Sequence, residues 1–345
     1  MDFDKGFQRK IEILKEITSN RKKLLIVLHD NPDPDAVASG FALGYIVKKI
    51  FGINFRIVYG GIIGRAENIE MVNELKIPLF KAGETHFHRY SNIAMVDTQP
   101  HTGNNSLPDD IVPDIVIDHH PLKGRQNYKL QIIDTTVGAN STILVEFLNF
   151  LKIKIPKNIA TALAYGISSE TQNLGREAYR RDINAYLTVY PESSLKKLSK
   201  IIFPKLRPDY YIFLNKALSK GFYHQNIVGS HLGEVPYPEL IPEIADLLVR
   251  RKGITISFCT GIFKNSMFIS IRTTNPRRKI FKLIKKIVGK IGTAGGHNMI
   301  GGGKILLEDS PYNNIIDLEY YINRRLLKYL DIKGKINWNP LIPVK

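Results

Sequence analysis

The chain has 345 residues, 43% of them hydrophobic and 23% charged, with a net charge of +17 and a single cysteine. That length accommodates one large domain or, better, two medium ones with real cores, and the composition is that of a globular protein. One cysteine excludes an intramolecular disulfide and a thiolate-rich metal site, and no apolar run approaches the ~18–20 residues that cross a bilayer. The start, Met1-Asp2-Phe3-Asp4-Lys5, is not a signal peptide, so a cytoplasmic protein with no membrane partner is expected.

Residues 4–20 read as an amphipathic helix with Phe7, Ile11, Leu14 and Ile17 on one stripe. Leu24-Leu25-Ile26-Val27-Leu28 is a short apolar run of the kind found in buried parallel strands. It runs directly into His29-Asp30-Asn31-Pro32-Asp33-Pro34-Asp35-Ala36, after which the pattern predicts a helix over 36–50. The two prolines hold Asp33 and Asp35 in fixed, extended geometry. Helix capping explains one acid in this stretch but not His29 with both aspartates, and acids this close repel one another unless a cation lies between them.

A second strand is predicted at Phe55-Arg56-Ile57-Val58-Tyr59 and a short helix at 66–75. The next apolar run, Ile93-Ala94-Met95-Val96, ends in Asp97-Thr98-Gln99, and Ile115-Val116-Ile117 ends in Asp118-His119-His120. Three strands thus deliver acids and imidazoles to the same edge, where α/β sheets bind their ligands. Helices over 139–151 and 158–169 follow, the second closing in Gly166-Ile167-Ser168-Ser169-Glu170-Thr171-Gln172. Alternating strands and helices predict an α/β fold with a doubly wound, mainly parallel sheet.

Residues 178–222 have helical periodicity and several prolines, and read as a connector. Beyond them, Gly229-Ser230-His231-Leu232, Ile254-Thr255-Ile256-Ser257-Phe258 and Met267-Phe268-Ile269-Ser270-Ile271-Arg272 read as strands, with helices over 237–251 and 279–290. Six of the twelve residues from Gly292 to Gly303 are glycine, and His297 lies among them. A loop is expected there, with backbone N–H groups open to an anion. Between Asp246 and Glu308 there is no acidic residue, against thirteen Lys and Arg, which points to an anionic partner.

Taken together, His29-x-Asn31-Pro32-Asp33-x-Asp35-Ala36, Asp97, Asp118-His119-His120 and Gly166-Ile167-x-x-Glu170-Thr171 resemble the four motifs of the DHH phosphoesterases. Gly295-Gly296-His297 resembles the glycine-rich motif of the DHHA1 domain that follows them in the family, in its soluble oligoribonuclease (nanoRNase) and 3′-phosphoadenosine 5′-phosphate (PAP) phosphatase branch. The resemblance implies a DHH catalytic domain over 1–177, a helical connector over 178–222 and a smaller α/β DHHA1 domain over 223–345, with the active site in the cleft between the domains. It implies two divalent ions, Mn²⁺ first and Mg²⁺ or Co²⁺ as substitutes. His29 and Asp33 would hold one ion, Asp35 and His119 the other, with Asp97 bridging and Glu170 completing the second sphere. Asp118 and His120 would be catalytic neighbours of the metals, and Arg272, His297, Gly295 and Gly296 would bind the substrate. Where Glu170 stands the family usually carries aspartate, which displaces the carboxylate by about 1.5 Å, one C–C bond.

Two ions in such a site suit phosphoester hydrolysis. The implied activity is conversion of short oligoribonucleotides or linear dinucleotides to 5′-mononucleotides, with PAP as a further substrate and short RNA or a small nucleotide as the partner. Cyclic-dinucleotide hydrolysis and a catalytically weakened nucleotide- or RNA-binding protein are the alternatives, and the family resemblance is compatible with a homodimer.

Overall fold

The computed structural model describes residues 2–19, 23–124, 127–296, 299–312, 314–332, 334 and 336–343. They fall into two compact units, Met1–Lys205 and Leu206–Lys345. Among the described residues, no helix is long and apolar enough to cross a membrane.

The first unit runs α1 (Asp2–Thr18), β1 (Lys23–Val27), α2 (Pro34–Phe51), β2 (Asn54–Tyr59), α3 (Ala66–Leu75), β3 (Leu79–Lys81), β4 (Ile93–Val96), β5 (Ile115–Asp118), β6 (Leu130–Ile133), α4 (Asn140–Phe150), α5 (Lys157–Glu170), α6 (Arg180–Val189) and α7 (Leu195–Ile202). Its six strands are all parallel in the order β3-β2-β1-β4-β5-β6. The order steps outward in both directions from the β1–β4 pair, so the carboxyl ends of these two strands flank the crevice where open α/β sheets place their sites. Side chains alternate faces along each strand. Leu24, Ile26, Ile57, Ala94, Val96, Ile115 and Ile117 point into one core with all seven helices, including Phe7, Leu14, Met71, Leu144, Leu163, Val189 and Ile201. Leu25, Val27, Val58, Ile93, Met95 and Val116 face the other way, beneath the connections that carry Ala82, Phe87, Leu107 and Tyr128. Residues 178–222 are mostly helical, but they divide: α6 packs on α4 and α5, α7 on α3, while the next helix packs within the second unit.

That unit contains α8 (Pro208–Ser219), β7 (Phe222–His224), β8 (Ile227–Glu234), α9 (Leu240–Leu248), β9 (Ile256–Phe263), β10 (Ser266–Thr273), α10 (Ile280–Val288), β11 (Gly292–Gly296), β12 (Ile300–Leu306), α11 (Ile315–Tyr329) and β13 (Asn339–Pro340). The seven-stranded sheet has the order β11-β12-β10-β9-β8-β7-β13 and is antiparallel except at β8–β9. Two cores lie on it, one under α10 and α11 and one under α8 and α9.

The glycine-dense stretch corrects the expectation of a loop. It forms paired antiparallel strands, with Gly295 opposite Gly302 and Gly296 opposite Gly301. A Cβ on Gly301 would lie 2.7 Å from Ile280 Cγ2, and one on Gly303 2.7 Å from Val288 Cγ2. These alternate glycines let α10 lie close on the strand, a packing reason that local composition does not reveal.

Candidate metal centre

The centre is built at the carboxyl edge of the parallel sheet from the exits of β1, β4 and β5. After β1, the loop carries His29 into position, and its Nδ1 sits 3.0 Å from the Asp30 carbonyl oxygen. A carbonyl only accepts, so Nδ1 carries a proton and Nε2 is the atom turned inward, 3.7 Å from Asp33 Oδ2 and 3.7 Å from Asp97 Oδ2. Asp33 caps α2, accepting the Ala36 N–H on Oδ1 at 3.0 Å, and so keeps Oδ2 for His29. Pro34 in the first turn fixes this entry, since it has no N–H to satisfy.

At the exit of β4, Asp97 adopts φ 58° and is buried. A non-glycine residue in the left-handed region is uncommon, and here the backbone is pinned by the Asp97 N–H donating to the Ile117 carbonyl at 2.9 Å. The result turns Asp97 between two imidazoles. Oδ2 faces His29, and Oδ1 lies 3.4 Å from His119 Nε2 and 3.8 Å from His120 Nδ1. Two groups with metal-ligand spacing result, His29–Asp33–Asp97 and Asp97–His119–His120, and they share Asp97.

Asp118 ends β5 and is buried. Its Oδ1 is 2.8 Å from His120 Nδ1, and its Oδ2 accepts from Gln99 Nε2 at 2.8 Å. Burial alone would raise the Asp118 pKa, but the hydrogen bond and charge of His120 outweigh it and hold the carboxyl below its usual range. Asp118 is therefore ionised and acceptor-only, so His120 Nδ1 donates to it.

Gln99 was not singled out as a functional residue by sequence reasoning. It is buried, donates to Asp118 and to the carbonyls of His120 and Pro121, and accepts the Lys123 N–H at 2.8 Å. The only sequence signal is its position two residues after Asp97, on the same strand exit as a ligand.

Asp35 and Glu170 stand outside both ligand groups. Asp35 accepts the N–H groups of Asn140 (2.6 Å) and Ser141 (2.8 Å), one on each oxygen, at the start of α4. A carboxylate suits that helix N-terminus. Glu170 closes α5. Gly166, one turn earlier, brings α5 against the first turns of α2 and α4: a Cβ there would meet Ser141 Oγ at 2.6 Å and the Asp35 Cα at 3.3 Å.

The acids crowd one another. Burial, together with the charges of Asp35, Asp33, Asp118 and Glu170, raises the Asp97 pKa well above its ordinary value. Burial and Asp33 push Asp35 up to about 6, and burial with the charges of Asp33 and Asp35 pushes Glu170 to about 8. Burial would lower His29, yet its hydrogen bond and charge interaction with Asp33 win and hold it at about 9; the same pairing keeps Asp33 below the usual carboxylate range. Asp97 Oδ1 has no hydrogen-bond partner among the described residues although it is buried. Unspent oxygen and excess negative charge beside inward-turned imidazole nitrogens fit hard divalent cations.

In the second unit, Arg272 is mostly buried, donating to Asp246 from Nε and to Ser270 Oγ at 2.7 Å from Nη1. Gly295 and Gly296 lie in β11, and His297 is outside the described residues.

Residues 23–167 match the N-terminal domain of the DHH family, a span that includes every residue of the two ligand groups and ends three residues before Glu170. The match to the DHH-family model lies wholly within the first unit. The chain is 34% identical over 306 residues to an uncharacterised protein of Methanocaldococcus jannaschii, covering 88% of this chain and 62% of that one. It is 29% identical over 160 residues to a probable manganese-dependent inorganic pyrophosphatase of Streptococcus equi subsp. zooepidemicus, covering 43% of this chain and 48% of the relative. It therefore spans about three fifths of the first relative and about half of the second. An exopolyphosphatase-related protein from Bacteroides fragilis has a similar fold, with a TM-score of 0.75 at 14% identity, over 94% of this chain and 97% of that one. RecJ from Thermus thermophilus in complex with Mn²⁺ superposes with a TM-score of 0.58 at 13% identity, over 96% of this chain and 55% of RecJ. At these identities the likeness concerns the fold.

Proposed function

We propose that the chain is a divalent-cation-dependent phosphoesterase that cleaves short oligoribonucleotides or linear dinucleotides to 5′-mononucleotides, with PAP as a further substrate. The observation that carries the reading is the sharing of Asp97 by two imidazole–carboxylate groups at strand exits of a DHH domain. His29 and Asp33 would hold one ion and His119 the other, with Asp97 between them and Asp35 and Glu170 supplying charge from just outside. Divalent ions bound there neutralise phosphoryl charge and make water a competent nucleophile at neutral pH.

The chain's own residues do the rest. Asp118 accepts from His120 Nδ1 and so fixes the orientation of the His120 ring, which would stand beside the reacting phosphate. The His120 side chain is 33% exposed, so substrate can reach it, whereas Asp97 at 3% is sealed from water. Gln99 keeps Asp118 aimed at His120. The second unit, with Gly295, Gly296, His297 and its excess of Lys and Arg, would take the substrate's own phosphates. Arg272, which donates to Asp246 and Ser270, would add its positive charge to that binding surface.

Purified protein with Mn²⁺ should release 5′-mononucleotides from pApA or pGpG, and chelation or Asp97→Ala should reduce the rate at least about a hundredfold. Intact pApA, pGpG and PAP after incubation with Mn²⁺ would sink the proposal. The match to probable manganese-dependent pyrophosphatases favours inorganic pyrophosphate as a second reading. The same assay separates the two: phosphate released from pyrophosphate, with the dinucleotides untouched, would select it.

A further inference from the structure

A second concave site lies on the first unit, away from the metal centre. Its volume is about 410 Å³, and Lys23, Arg56, Arg89, His86, Tyr90 and Ser91 are among the residues that line it. Lys23 opens β1, Arg56 lies in β2 opposite Leu25, and the others come from the connection ahead of β4. The metal centre begins at His29, six residues further along the chain and just past the end of β1, roughly 20 Å away at strand rise.

Charge and hydrogen bonding both point to an anion. Three permanent cations line the cavity against one acid, Glu84, and none of the three forms an ion pair among the described residues. Three other cations of the same unit do form ion pairs: Arg181 with Asp134 and Glu146, Lys200 with Glu74, and Lys129 with Asp114. Arg56 is held in place, its guanidinium stacked 3.7 Å over the Phe80 ring, yet its buried Nε has no hydrogen-bond partner among the described residues. A fixed guanidinium with unspent donors is suited to a phosphate or carboxylate group. The Thr85 hydroxyl is committed to the Lys81 carbonyl at 3.1 Å, which leaves the hydroxyls of Ser91 and Tyr90 as donors from the lining. Tyr90 adds an aromatic ring with Lys23 Nζ 5.6 Å from its centroid. The volume falls in the range of small-molecule sites, ~300–1,000 Å³, and exceeds what a lone inorganic ion fills.

We infer that this cavity binds a small phosphate-bearing molecule, separately from the metal centre, with Arg56 and Arg89 gripping the phosphate and Tyr90 flanking the remainder. The assignment does not depend on the proposed hydrolytic activity.

The test is calorimetric titration of the full chain in EDTA, with AMP and with inorganic pyrophosphate as separate probes at fixed salt. Saturable binding of AMP alone would assign the Tyr90 ring a share in recognition, and binding of both would assign recognition to the phosphate. In either case Arg56→Met, which keeps an aliphatic stem on Phe80, and Arg89→Ala, at an exposed position, should each weaken binding tenfold or more. Asp97→Ala should change it less than twofold, as should Lys49→Ala, which removes an exposed charge on α2. Absence of saturable binding by both probes overturns the inference, and so does unchanged affinity in both arginine variants. Equal weakening by Lys49→Ala would reduce it to diffuse charge and overturn it as well.

Discussion

Asp97 combines a left-handed backbone, near-complete burial and a carboxyl oxygen with no hydrogen-bond partner among the described residues. Such a conformation costs on the order of 1–3 kcal/mol and persists where its surroundings over-determine it. The strain is placed where it turns both carboxylate oxygens toward imidazoles. Gln99 shows how that aim is maintained. Gln99→Leu, which removes its amide but keeps its bulk, should lower kcat about 10- to 100-fold with little change in KM, because Asp118 loses one of the three groups that orient it, the others being the His120 N–H and Nδ1. Equal loss in kcat and in folding stability, with KM raised, would argue for a merely structural role. Asp182 is a purely structural counterpart. Its buried carboxylate accepts from the N–H groups of Gly138 and Tyr179 (2.8 Å each) and from Thr142 Oγ1 at 2.5 Å. Asp182→Ala leaves those donors buried and should cost about 2–4 kcal/mol in urea unfolding.

Among the elements, β1, β2, β4 and β5 were legible in the sequence, whereas the short edge strands β3 and β6 were not. Ile93–Val96 and the exits at Asp97 and Asp118 follow from apolar runs that stop at polar residues, since a strand buried on both faces has no other reason to end so sharply. The helix predicted over 66–75 has those bounds, and α2 begins two residues ahead of its predicted start because Asp33 caps it and Pro34 fits its first turn. The glycine-rich pair β11–β12 was not legible as strands. Glycine has low strand preference, and only the approach of α10 explains why Gly301 and Gly303 are selected there. Gly303→Val should therefore wedge Val288 and lower stability by about 1–3 kcal/mol. Gly302, where a Cβ meets nothing within 4 Å, should tolerate alanine with a change below about 0.5 kcal/mol. Comparable unfolding midpoints for the two variants would contradict this account of the packing.

For the molecule as a whole, the two units have their own cores, and every residue of the two ligand groups belongs to the first. Mn²⁺ should raise the unfolding temperature of a fragment spanning residues 1–205 and leave one spanning 206–345 unmoved; a shift in the second alone would relocate the metal site. Acidity couples to the same centre. The folded-state values of Asp35 and Glu170 rise from 3.8 to about 6 and from 4.5 to about 8, so the native state binds more protons than the unfolded chain between about pH 4 and 8. Stability without metal must then fall as pH rises through that window. His29, raised from 6.5 to about 9, acts in the same direction: its contribution is full below pH 6.5 and is lost as pH climbs through 9. A divalent cation replaces those protons. The Mn²⁺-induced rise in melting temperature should accordingly be larger at pH 8 than at pH 6, and equal shifts would remove the linkage.

The sequence by itself determined which residues end strands, the α/β class, the six candidate ligands and the acid-free basic segment, because apolar runs, prolines and charge are local properties. Tertiary structure decided the rest. The order β3-β2-β1-β4-β5-β6 brings the exits of β1 and β4 side by side and gives Asp97 to both ligand groups, a result of strand pairing that no local pattern encodes. It turned Asp35 onto the start of α4 through a hydrogen bond spanning 105 residues. It put Gln99 on Asp118 and left Arg56 stacked on Phe80 without an acidic partner among the described residues. Each of these is a contact between distant segments, and its energy exists only once both are folded against each other.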